Sequence, residues 1–187
     1  KNNNKFLWIL IPIFLGFSFL SKQAPTAYII IIISIFSLIF FFHKKNFQGF
    51  YYLLFGAMFF LITFFLTLYL GRVDIKDFFI QYILFPQSLG ASRLDWVFPL
   101  EFQRIVLRFK IHYLSIGVLV FILINSFSSK FKKIKFEDLL ILLSLILTCI
   151  LFIFHQLMTI NAIFIYCLIP IFSGFSNIYS NIFYGKK

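Results

Sequence analysis

The sequence predicts an all-α fold: a polytopic transmembrane helical bundle of about six spans, with interfacial amphipathic helices in one external loop. Three observations predict it. Of 187 residues, 61% are hydrophobic and 12% charged, against roughly 45–50% apolar and about 25% charged in soluble globular domains. Residues 49–70 form 22 consecutive uncharged positions, and residues 139–185 hold no Asp, Glu, Lys or Arg in 47. A helix crossing the hydrocarbon layer needs about 20 such residues. The lysines come in short clusters that interrupt the apolar runs instead of forming one basic face, so the net charge of +11 reads as membrane topology and not as a nucleic-acid surface.

Taken in order, the apolar passes fall at residues 6–20, 27–42, 49–70, 111–128, 138–154 and 162–179, in a single transmembrane domain covering residues 1–187. The first two are short for spans, since 15 helical residues rise only about 22 Å. The last two follow from dividing the 47-residue uncharged stretch at its one polar interruption, residues 155–161, where a tight helical hairpin is expected. Lys1 and Lys5, Lys44 and Lys45, Lys130 to Lys135, and Lys186 and Lys187 then fall on alternate connections. That places both termini in the cytoplasm and residues 21–26, 71–110 and 155–161 on the opposite side. Tyr51, Tyr52, Tyr69, Tyr113 and Tyr179 lie near the expected span ends, where amphipathic rings prefer the headgroup level. The chain begins KNNNK, with Lys in place of Met, and is read as the C-terminal part of a longer protein.

Cys149 and Cys167 sit in apolar stretches without CxxC spacing, so they read as small hydrophobes and not as a redox or metal pair. No His, Cys and carboxylate cluster has metal spacing, and there is neither a phosphate-cradling glycine loop nor a serine nucleophile elbow. No cofactor is read from the chain, and a divalent ion is left open. His112 and His43 are expected at the membrane interface.

Residues 71–110 hold Asp74, Asp77, Asp95 and Glu101, four of the six acids, and all four arginines, Arg72, Arg93, Arg104 and Arg108. Arginine presents a planar fork that pairs two-pronged with phosphate or carboxylate, whereas lysine is a point charge. Arginine in a lipid-facing loop of a lysine-biased chain therefore fits a phosphate-bearing lipid. Ordinary pairing of Glu101 with Arg104 on one helix face, and headgroup contacts by Arg108, account for the same residues. Within the segment, residues 76–85 read as a short interfacial helix with a narrow stripe of Lys76, Asp77 and Gln81. Pro86 is expected to end it, and residues 87–95 to form a turn-rich loop around Gly90. A second helix is expected over residues 100–109, with Phe102, Ile105 and Phe109 on one face and Glu101, Arg104 and Arg108 on the other. A second polar cluster, His155, Gln156, Thr159 and Asn161, marks the last hairpin, as turn residues or as polar groups at membrane depth.

Two stretches, DFFIQYILFPQSLGASRLDW (Asp77 to Trp96) and HQLMTINAIFIYCLIPIFSG (His155 to Gly174), resemble membrane glycosyltransferases of the GT-C superfamily from marine bacteria. The resemblance implies a polytopic enzyme of the bacterial inner (plasma) membrane. Such an enzyme moves a sugar from a polyprenyl-phosphate donor to a lipid or glycan acceptor at the outer face, with short interfacial helices over the donor. It implies Arg93, with Arg72 or Arg104, on the donor phosphate. The superfamily places its acid in the first external loop, but residues 21–26 (SKQAPT) contain no carboxylate. The acid then lies upstream, or the chain does not act alone, or it comes from residues 71–110, with Asp95 beside Arg93 the first choice. A transporter or flippase of lipid-linked sugars and a non-catalytic membrane subunit are the other readings. The first would place ionisable groups mid-span, and none is visible there in the six passes.

Overall fold

The computed structural model describes residues 5–45, 47–93, 101–127, 135–159 and 163–184. All their secondary structure is helical, with no strand among the described residues. Three helices are long and apolar enough to cross a membrane: α2 (Gln23–Lys44), α3 (Phe47–Leu70) and α7 (Phe136–Thr159). α1 (Lys5–Ser21) and α6 (Lys110–Ser126) are shorter apolar helices. α4 (Ile75–Phe79), α5 (Phe85–Arg93) and α8 (Leu168–Tyr184) complete the set, with π-helical turns at Ile80–Leu84 and Gln103–Leu107 and a 3-10 turn at Ile163–Cys167. The chain divides into two compact units, Lys1–Leu94 and Asp95–Lys187.

In the N-terminal unit α1 and α3 run parallel in close apposition. Lys5 Nζ lies 5.7 Å from the Tyr52 ring centroid. Further along, a Cβ at Gly56 would overlap the Ile9 carbonyl oxygen and come within 2.8 Å of Pro12 Cγ. Gly16 faces the Phe60 ring in the same way, and Phe17 meets Phe60 edge-on at 5.6 Å. Between apolar helices in lipid the hydrophobic effect supplies no attraction, so close backbone approach through small residues carries the packing. α2 begins with Pro25 in its first turn, where a missing N–H costs little. Thr26 Oγ1 donates to the Ser18 carbonyl at 3.1 Å and clasps the α1–α2 turn. Thr63 and Thr67 bond back to carbonyls of their own helix at 2.8–3.0 Å, which hides both hydroxyls from lipid.

Beyond α3, the expected stop at Pro86 is not observed. Helical structure continues from Ile75 through the π-turn into α5, and the expected loop at residues 87–95 is helix as far as Arg93. Proline cannot donate to the Tyr82 carbonyl four residues back. That carbonyl accepts instead from Gln23 Nε2 of α2. The π-turn immediately upstream, where the Phe85 N–H bonds to Ile80 O, loosens the backbone that the proline ring would otherwise strike.

The C-terminal unit has an interior of side chains. His112, Ile116, Leu119, Ile122 and Ser126 form one buried stripe of α6. Against it pack Cys149, Phe152, Ile153 and Leu157 of α7, with Ile165 and with Leu168 and Phe172 of α8, all buried. The expected helix over residues 100–109 is reduced to the π-turn, where Arg108 N–H reaches Gln103 O at 3.2 Å. The wider turn breaks the expected apolar face: Phe109 is buried and Phe102 exposed; Leu100 lies outside the described residues. The turn expected over residues 155–161 is helix as far as Thr159, and residues 160 and 161 lie outside the described residues. α7 runs on through His155 and Gln156 to Thr159, because HQLMT contains no breaker and both polar residues are covered. The last pass starts as the 3-10 turn and becomes α-helical at Leu168, with Pro170 in the first turn. Tyr179, expected as an interfacial anchor, is buried and donates to Asp138 Oδ1 at 3.3 Å. Tyr51 and Tyr69 are exposed, as an anchoring role requires.

Candidate functional site

The C-terminus of α3 builds the first candidate site. Val73 N–H bonds to Leu68 O at 3.0 Å and Arg72 N–H to Tyr69 O at 3.1 Å. These are the two bonds of a Schellman cap, in which the residue at the position of Arg72 must be left-handed and is usually glycine. Arg72 has φ 53°, although Gly71 is its neighbour. An arginine held in this region carries about 1 kcal/mol or more of strain. Asp74 follows and caps α4, its Oδ1 accepting from Lys76 N–H at 2.7 Å. The carboxylate of Asp77 sits in the first turn of α4. Arg72, Val73, Asp74, Asp77, Phe78, Gln81 and Tyr82 line a cavity of about 280 Å³.

Tyr82 ties this cavity to the α1–α2 turn. Its hydroxyl proton is shared between the carbonyls of Phe19, at 3.0 Å, and Leu20, while its own carbonyl accepts from Gln23. Phe78 stacks on Tyr82 at 4.9 Å and meets Phe64 of α3 at 5.1 Å. The short helix is therefore held over the ends of α1, α2 and α3 by hydrogen bonds and rings. Residues 21–26 and 71–93, expected on one side of the membrane, lie at one end of this unit.

The expected site residues are distributed as follows. Arg72 joins Asp74 and Asp77 in the cavity. Arg93 ends α5 and is half-buried. Arg104 is half-buried in the π-turn of the other unit. Asp95, the first choice of acid, and Asn161 lie outside the described residues. Gln81 was legible as part of the polar stripe. Tyr82 had no sequence signal, because its partners are about 60 positions away.

The second candidate site is in the C-terminal unit. His112, expected at the interface, is fully buried on α6, with Nε2 3.1 Å from the Ile165 carbonyl. That carbonyl can only accept, so the Nε2 nitrogen carries the proton and Nδ1 is left as an acceptor. The ring lies 5.0 Å from Tyr166 and 5.9 Å from Phe109. His155 and Gln156 of α7, in the same unit, are also buried. His112 Nδ1 and Gln156 Oε1 have no hydrogen-bond partner among the described residues. Thr159 Oγ1 bonds back to the His155 carbonyl at 3.0 Å, one helical turn away. The signal for His112 was its place at the head of the 112, 116, 119, 122 stripe, which is the face α6 buries.

Among the described residues no group of three or more His, Cys, Asp or Glu could hold a metal ion. Cys149 is buried and Cys167 exposed, and neither is in a disulfide. Comparison with protein-family models, curated proteins and solved structures finds no match to this chain.

Proposed function

We propose that the chain is a membrane glycosyltransferase, or the C-terminal part of one, that transfers a sugar from a polyprenyl-phosphate donor to a lipid or glycan acceptor. It acts at the outer face of a bacterial plasma membrane, with six spans and both termini on the lysine-rich side. The observation that carries this reading is Arg72, held left-handed beside a glycine, in one cavity with Asp74 and Asp77. Such strain is retained where the side chain is needed. Arg72 pairs its fork with the donor phosphate. Asp77 takes the proton of the acceptor hydroxyl as the new glycosidic bond forms. The bond from the sugar to the donor phosphate breaks, and the leaving phosphate keeps the electron pair beside the guanidinium. Asp74 caps α4 and positions Asp77.

The test is transfer from a polyprenyl-phosphate hexose in vesicles containing the purified protein. Arg72→Lys keeps the charge but loses the fork, and Asp77→Asn removes the base; each is expected to lower transfer by a factor on the order of a hundred. Arg93→Lys, run in parallel, asks whether a second guanidinium contributes. Full activity in both Arg72→Lys and Asp77→Asn overturns the assignment.

One observation favours a second reading, movement of a lipid-linked sugar across the bilayer: His112, His155 and Gln156 are polar groups inside the apolar helices of the C-terminal unit, where such groups tend to serve transport. Translocation of a fluorescent polyprenyl-phosphate sugar without transfer, lost in His112→Phe, would replace the first reading by this one. A protein that does neither is a non-catalytic subunit.

A further inference from the structure

The cavity past the end of α3 carries charges of both signs. Arg72 and Asp77 both line it, as does Gln81, four positions after Asp77. Among the described residues neither Arg72 nor Asp77 has an ion-pair partner, and the Gln81 side chain has no hydrogen-bond partner. Asp74, the second carboxylate, already accepts from the Lys76 N–H at 2.7 Å. A guanidinium and a carboxylate that share a cavity without joining are each open to an opposite charge brought by a ligand. The wall is fixed before anything binds, because Tyr82 stacks on Phe78 at 4.9 Å and its hydroxyl donates to the Phe19 carbonyl at 3.0 Å; a site ordered in advance loses less on binding. Arg72 lies two positions beyond Leu70, the last residue of α3, which is long and apolar enough to cross a membrane. The cavity is therefore at headgroup level.

We infer that this cavity binds the zwitterionic headgroup of phosphatidylethanolamine, with the phosphate on Arg72 and the primary ammonium on Asp77 and Gln81. The guanidinium fork takes the phosphate oxygens. The Asp77 carboxylate and the Gln81 carbonyl oxygen accept N–H bonds, which the quaternary nitrogen of a choline headgroup cannot donate. An anionic headgroup brings a phosphate but nothing for Asp77. Exposed Leu70, Val73 and Ile75 beside the charged groups give the acyl chains an apolar surface, for which free phosphoethanolamine has no use. A lipid bound in this way occupies the place of the donor phosphate on Arg72 and competes with it. That competition rests on the transfer reading above, whereas the binding itself does not.

The test is intact-complex mass spectrometry of the purified full chain, titrated with phosphatidylethanolamine, phosphatidylcholine or phosphatidylglycerol of the same acyl chains. The wild type is expected to retain phosphatidylethanolamine at least about tenfold more strongly than either of the others, the factor that one hydrogen bond to a charged group supplies. Asp77→Asn is expected to erase that preference. Arg72→Gln is expected to weaken phosphatidylethanolamine and phosphatidylcholine alike, by about tenfold, since both carry the phosphate. Glu101→Gln, which removes the same charge in the other unit, should keep the preference. Equal retention of the three lipids by the wild type overturns the inference, and so does a preference that survives Asp77→Asn. A loss in Glu101→Gln as large as in Asp77→Asn would make the effect one of net charge and overturn it too. Displacement of the lipid by an equal concentration of phosphoethanolamine without acyl chains would assign the cavity to a soluble zwitterion instead. A lipid preference in a chain that transfers no sugar leaves this inference standing, whereas transfer without the preference overturns it alone.

Discussion

The two units solve the same problem, packing apolar helices in an apolar solvent, in different ways. In the N-terminal unit the buried hydrophobic residues among those described are Ile32 and Phe41 alone, and the close packing runs through glycine, proline and aromatic rings between α1 and α3. In the C-terminal unit fourteen buried hydrophobic residues, from Phe109 to Tyr179, form an interior. Polar chemistry follows this division. The thinly packed unit keeps its charged groups near its ends, with Lys22, Arg72, Asp74, Lys76 and Asp77 toward one and Lys5, Lys44 and Lys45 toward the other. The unit with an interior encloses His112, His155 and Gln156. A polar side chain can sit deep only where other side chains keep lipid from it, since hydrocarbon offers no hydrogen bond.

The strongest way to break the comparison is Gly56→Leu. The added side chain meets the backbone of α1, which cannot rotate aside, and should cost the N-terminal unit about 3 kcal/mol. Unfolding in mixed micelles would measure it. Reactivity of the buried Cys149 thiol reports the C-terminal unit separately and should be unchanged. Accelerated Cys149 labelling would show that the two interiors are not energetically separate.

A smaller effect is expected from His112→Phe, which keeps a ring in the buried stripe but leaves the Ile165 carbonyl without its donor. That should destabilise the C-terminal unit by about 2 kcal/mol, seen as faster Cys149 labelling at unchanged integrity of the α1–α3 pair. The smallest sharpens the comparison at the cavity. Arg72→Gly relieves the left-handed position and should stabilise the cap by about 1 kcal/mol, while transfer falls as in Arg72→Lys. A variant that is both less stable and fully active would remove the reason for reading the strain as functional.

Much of the helix plan was legible. The expected pass at residues 49–70 is α3 within two residues, and the passes at 27–42 and 111–128 fall on α2 and α6. Uncharged length alone places such segments. The misreadings were local rules overruled by distant partners. Pro86 does not stop the helix because the Tyr82 carbonyl that proline leaves free accepts from Gln23, 59 residues before Tyr82. His155 and Gln156 looked like turn residues because polarity in an apolar chain marks a turn, but both are buried residues of α7, which runs on to Thr159. Tyr179 pairs with Asp138 instead of anchoring at the headgroups.

The sequence by itself determined the membrane class, the helical periods, the clustering of lysine and the gathering of every arginine in residues 71–110, because these depend on composition and on the short-range requirement that each backbone group be satisfied within its own helix. Only the tertiary structure decided that His112 is buried with its ring against the Ile165 carbonyl and that the Tyr82 carbonyl accepts from Gln23. Those depend on contacts between positions 53 and 59 residues apart, and neither periodicity nor charge count carries that distance.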